Sequence, residues 1–362
     1  MRWAFMLVVM WSVSAVLVGG AADQAAYGQE LYELSADGWK QQATPDPQTP
    51  RGQMAAIRRA LAAAADADSR GESRRSDRLA KEALALASTF IDEHPNDPLI
   101  PEAYLRRGDA LVLLGRYYKS LFDYEFIAQA FPQSDVFFPT LEREYEVARL
   151  LINGQRIRFL GLPILSARSD GEELLVRIQE RAPGSPIGEK ASLALSDYYF
   201  DSGVMDQAAI AYELFLENYP QSTRKEWAML RLIQANLARF RGPRFDTTGL
   251  IEARQRLEEY RLAFPAAADR IGAEALEVRI DESLALRDLT NAGWYETRGL
   301  RISAAVLYRR IIDEFPQTAA ARTAVTRLRG LDVDLTALPP VNPNRISPTG
   351  DPLPTAPSTA PR

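Results

Sequence analysis

The sequence predicts an all-α fold, a superhelical solenoid of about five to six helix-turn-helix repeats, and three observations carry that expectation. The first is a near-duplication: "FLENYPQSTRKEWA" at residues 215–228 and "IIDEFPQTAAARTA" at residues 311–324 lie 96 residues apart. Looser copies begin at Phe90, Phe126, Arg177 and Tyr260, each an apolar helix ending, a proline, a short polar turn and a new helix. The second is punctuation by Pro95, Pro132, Pro183, Pro220, Pro265 and Pro316, with successive spacings of 37, 51, 37, 45 and 51 residues. The third is an internal pattern of small and aromatic residues that recurs in register with those prolines.

Bulk properties narrow the function classes. The chain has 362 residues, 46% hydrophobic and 25% charged, enough apolar material for a core along most of its length. A net charge of −5 argues against nucleic-acid partners, which require a basic excess on some face. With no cysteine and one histidine, disulfides, thiol catalysis and nearly all zinc sites are excluded. His94 stands directly before Pro95 in a repeat turn, which predicts a solvent-exposed turn residue. No phosphate loop and no nucleophile motif occurs. The expectation is a non-enzymatic protein with no catalytic residue, metal or cofactor.

Residues 1–22 read "MRWAFMLVVMWSVSAVLVGGAA": a charged start at Arg2, a short apolar run, then small residues. This is the pattern of a secretory signal peptide, cleaved near Ala21 or Ala22; an uncleaved anchor is the alternative. Leu17-Val18-Gly19 has the shape of a bacterial lipobox, but Gly20 follows where the lipidated cysteine would stand. Export to the periplasm with peripheral or partner-mediated membrane association is therefore expected. Residues 23–50, with Pro45, Pro47 and Pro50, read as a linker.

The solenoid is expected over residues 51–331. Residues 54–67 supply the opening helix, and Ala83, Ala87 and Phe90 mark the helix after it. The unit ending at Pro132 places Tyr104, Gly108 and Leu111 on its first helix and Ser120, Tyr124 and Ile127 on its second. The unit ending at Pro220 has Ser192, Ser196, Tyr199, Ala208, Tyr212 and Phe215 at the same places. The unit ending at Pro316 has Asp288, Ala292, Tyr295, Ala304, Tyr308 and Ile311. Gly115, Gly203 and Gly299 fall at one shared position between the paired helices, where a left-handed cap is free of steric cost. Period, paired helices and terminal proline are those of a tetratricopeptide repeat. Two further units keep only the second helix, through Gly171, Leu175 and Ile178, and through Ala253, Leu257 and Tyr260.

Stacked repeats create a concave groove. First-helix positions expected to face it are Glu102, Leu105, Asp109 and Val112, and their counterparts Lys190, Leu193, Asp197 and Phe200. They form either a protein-binding surface or an ordinary solvated face. Residues 152–171 form an insertion rich in arginine and apolar side chains. Arg156, Arg158, Phe159 and Arg168 are its candidates for touching a partner or lipid, though the segment could equally fold back over the groove. A second insertion spans residues 239–250. A long helix is expected from residue 266 to about residue 289, and residues 332–362 form a Pro-rich tail expected to be disordered.

The endings "FLENYPQS" and "IIDEFPQT" and the stretch "NAGWYETRGLRISAAVLYRRIIDEFPQT" resemble the BamD family, periplasmic scaffolds of outer-membrane protein assembly. The resemblance runs roughly from residue 79 to residue 331. It implies a scaffold that receives unfolded outer-membrane protein precursors on its N-terminal units. It also implies docking of the outer-membrane barrel insertase on the C-terminal units, in the periplasm and associated with the outer membrane. Its binding residues do not transfer, because the matching positions are packing positions. A general envelope adaptor in cell-wall synthesis or cell division is the alternative reading.

Overall fold

The computed structural model describes residues 46–154, 168–242 and 245–333, together with the backbone of two short hairpins. The expected signal segment and nearly all of the Pro-rich tail lie outside the described residues, as do the side chains of the expected linker before residue 46.

Helices follow one another in antiparallel pairs. The first six are α1 (Pro50–Ser69), α2 (Ser73–Glu93), α3 (Ile100–Leu113), α4 (Tyr117–Ala130), α5 (Phe137–Ile152) and α6 (Arg168–Arg181). Then come α7 (Pro186–Asp201), α8 (Met205–Asn218), α9 (Lys225–Arg239), α10 (Thr248–Ala263), the single short α11 (Pro265–Ile271), α12 (Ala273–Thr297), α13 (Arg301–Glu314) and α14 (Ala319–Gly330). Each helix packs on its successor, and the first helices of successive units also touch in series, α1 on α3, α3 on α5, α5 on α7 and α7 on α9. That nearest-neighbour pattern defines an all-α solenoid. Its core is a chain of overlapping apolar clusters rather than one centre.

Local chemistry explains the joints. Thr49, Ser185 and Thr318 cap α1, α7 and α14 by accepting the backbone N–H three residues on, from Gly52, Gly188 and Ala321. Gly115, Gly203 and Gly299 adopt φ of 68°, 77° and 74°, which lets each pair reverse direction tightly. In two units the residue before the proline closes the joint with a ring: Tyr219 lies 5.5 Å from Phe215, and Phe264 5.5 Å from Tyr260. His94 occupies the equivalent slot, its ring 5.0 Å from Phe90 and its Nε2 3.0 Å from the Gln53 side-chain oxygen. It is half-buried and packed, not the free turn residue its position suggested.

Several boundaries differ from those the sequence suggested, among them the second insertion, which loses Arg239 to α9 and residues 248–250 to α10. Residue 152 still belongs to α5 and α6 already begins at Arg168, so the first insertion is shorter at both ends. Within it, β3 (Ile157–Phe159) pairs antiparallel with β4 (Leu162–Leu165). A second hairpin, β1 (Tyr32–Ser35) with β2 (Gly38–Gln41), precedes the solenoid. The long helix expected from residue 266 is broken: Gly272 takes φ 66° between α11 and α12 and redirects the chain.

Candidate functional site

The two groups of residues expected on the groove have different fates. Glu102 accepts Arg58 Nε at 2.7 Å and Arg58 Nη2 at 2.5 Å, tying α3 to α1, and also accepts Arg106 Nη2 at 3.2 Å. Burial alone would raise its carboxyl, but the hydrogen bonds and charges of Arg58 and Arg106 outweigh it and hold the group below the usual range. Asp109 accepts the Tyr124 hydroxyl at 3.0 Å and Arg143 Nε at 2.9 Å. Leu105 is 3% exposed and belongs to the core beside Tyr124 and Leu141, so it is not a groove residue. Val112 is half-buried against the same core. The first group is consumed by packing.

Lys190, Leu193 and Asp197 instead line one groove of about 810 Å³. Tyr145 and Arg149 of α5 form one wall, Tyr198 and Asp201 of α7 join the second, and Thr223 and Arg224 close it just before α9. Arg168, the first residue of α6, also contributes. The side chains of Arg156, Arg158 and Phe159 lie outside the described residues. Phe200 sits beside the groove rather than in its lining, 6.4 Å ring to ring from Tyr212.

The lining mixes types. Tyr145, Tyr198 and Leu193 offer apolar surface, while Arg149, Arg168, Lys190 and Arg224 alternate with Glu189, Asp197 and Asp201. Burial pushes the Tyr145 hydroxyl above its ordinary pKa, so it remains a donor at neutral pH. Apolar walls with interspersed charges can seat an extended segment and fix its register.

Next to Tyr145 on α5, Glu144 is buried and accepts Arg181 Nη1 of α6 at 3.2 Å through each of its oxygens. Arg181 also donates to Glu125 of α4, and Arg177 reaches Glu125 at 3.6 Å. Burial dominates for Glu144 and lifts its carboxyl to about 7 despite Arg181. This cluster ties α4, α5 and α6 together.

Tyr145 and Arg149 were not legible in the sequence. The insertion lengthens the unit that ends at Pro183, so counting back from that proline lands in residues 155–167 rather than on α5. The i, i+4 spacing of Tyr145 and Arg149 on an amphipathic helix was the available signal.

No curated protein matches the chain. Residues 168–335, covering α6 to α14, match the model of the YfiO family, described as an outer membrane lipoprotein, and over that stretch the solenoid is similar to this family.

Proposed function

We propose that the chain is a non-catalytic helical scaffold of the bacterial cell envelope, of the BamD type, assisting the assembly and insertion of outer-membrane β-barrel proteins. The observation that carries this reading is the match of residues 168–335 to an outer membrane lipoprotein family, on a solenoid with a groove of about 810 Å³ lined chiefly by α5 and α7. In this reading the groove receives extended segments of unfolded precursors, and the C-terminal pairs dock the barrel insertase. The mixed aromatic and charged lining supports peptide capture, since it fits side chains of several kinds along one strand of chain.

The test is in-cell crosslinking from a photoreactive residue at Arg301, exposed at the start of α13, followed by mass spectrometry. Capture of the outer-membrane insertase supports the assembly role. Crosslinks confined to cell-wall or division proteins overturn it in favour of a general envelope adaptor.

A further inference from the structure

Three units share one polar device, and one of them is left open. In the second pair, the Tyr124 hydroxyl donates to Asp109 at 3.0 Å, and Arg143 from the next helix closes on the same carboxylate at 2.9 Å. In the sixth pair, Tyr308 donates to Glu296 at 2.6 Å, and Arg327 of α14 approaches Glu296 at 3.6 Å. The equivalent residues of the fourth pair are Tyr212, Asp197 and Arg231, each 88 positions after Tyr124, Asp109 and Arg143. Tyr212 keeps its bond to Asp197 at 2.5 Å. Arg231 does not follow: among the described residues it makes no ion pair or hydrogen bond, and its Nε is buried without a partner.

Two aromatic side chains account for the difference. Phe200 stands where the second pair has Val112, and Trp227 where it has Pro139. The Arg231 guanidinium carbon lies 4.3 Å from the centre of each ring, so the cation is stacked on both. Trp227 also takes the place of the arginine on Asp197, its indole N–H 3.4 Å from Oδ1. Stacking satisfies the two faces of a guanidinium and leaves its in-plane N–H groups for a planar acceptor. The Nε is closed off from solvent, but the two Nη groups, which also make no bond, are not among the buried unpartnered atoms and are the donors an acceptor can reach. Asp197 lines the groove with Arg224, whereas Arg231, Phe200 and Trp227 stand outside that lining; the Trp227 contact with Asp197 puts the arginine at the groove's edge, next to whatever the groove holds.

We infer that Arg231, held between Phe200 and Trp227, is a specificity subsite that reads an acidic side chain of the segment bound in the groove. The carboxylate accepts two parallel N–H bonds from the guanidinium. Asp197 opposes a second carboxylate, but its charge already has Tyr212 and Trp227 as donors, and Arg224 stands on the same side. This inference rests on the reading of the groove as a peptide site.

The test uses the full chain and a set of N-acetylated, C-terminally amidated decapeptides of alternating tyrosine and threonine. A single glutamate, or a matched glutamine, is moved through the positions, and binding is read by fluorescence anisotropy. At one register the glutamate peptide should bind about tenfold more tightly than its glutamine twin. Arg231→Lys keeps the charge and loses the planar fork, so the discrimination should collapse while the affinity for the glutamine peptide changes less than about twofold. Equal binding of both peptides at every register overturns the subsite and leaves the groove reading standing. A preference that appears only when the C-terminus is a free acid also overturns the side-chain assignment. If no peptide binds, the groove reading itself fails and the subsite with it.

Discussion

The Tyr212 hydroxyl donates to the Asp197 carboxylate at 2.5 Å, joining the two helices of the fourth pair from a ring that is fully buried. Burial, and then the Asp197 hydrogen bond and charge, push the hydroxyl far above its ordinary pKa and keep it a donor. Tyr212→Phe leaves the carboxylate with only the Trp227 contact at 3.4 Å. The expected loss is about 2 kcal/mol, as for a hydrogen bond to a charged acceptor, read as a lower midpoint in urea denaturation with an unchanged slope.

Glycine matters at one helix position and not at another. A Cβ at Gly108 would come within 2.3 Å of the Tyr124 ring, whereas one at Gly293 in α12 meets nothing within 4 Å. Gly108→Ala should destabilise by about 1–3 kcal/mol, because the buried ring has nowhere to retreat. Gly293→Ala should stabilise by about 0.5–1 kcal/mol through helix propensity alone. Thermal unfolding of the two variants should shift in opposite directions.

Glu144 sets a pH dependence. Its folded pKa of about 7, raised by burial against the pull of Arg181 and Arg177, lies above the unfolded value for glutamate. The folded state therefore holds the proton more tightly, and stability falls as pH rises from the unfolded pKa to about 7. This one group contributes a slope of up to about 1.4 kcal/mol per pH unit within that window. Glu144→Gln should remove that part of the slope, with Arg181 retaining Glu125. Denaturation midpoints of both proteins between pH 5 and pH 8 decide it; parallel curves would refute the assignment.

Asp288 anchors the last pairs. Its side chain is 2% exposed and holds Arg287 at 2.8 Å and Arg310 at 2.5 Å, while Arg287 also reaches Thr247 Oγ1 at 2.6 Å. Asp288→Asn strands two cations that keep partial access to solvent, for a loss of about 2 kcal/mol. Hydrogen exchange should quicken first in α12 and α13, because a solenoid transmits damage only to its neighbours.

Much of the architecture was legible because a repeat states its packing more than once. Tyr124, Tyr212 and Tyr308 recur with small partners and turn glycines, and all three rings are buried at the same joint. The groove was half legible. Lys190, Leu193 and Asp197 line it, yet their counterparts do not, because Leu105 is core and Glu102 and Asp109 are spent on arginines from α1 and α5. Those arginines lie 44 and 34 residues away in the chain, and no local pattern announces such pairings.

The sequence by itself determined the all-α repeat fold, since helix period, turn glycine and terminal proline are local properties of the chain. The tertiary structure decided which equivalent residues became surface and which became scaffold. Arg143 and Arg231 occupy one repeat position, but the first closes on Asp109 and the second is held away from Asp197 by Phe200 and Trp227. The reason is physical: the partner of a buried charge is set by what the neighbouring helices bring within a few ångströms, and distance along the chain does not encode that.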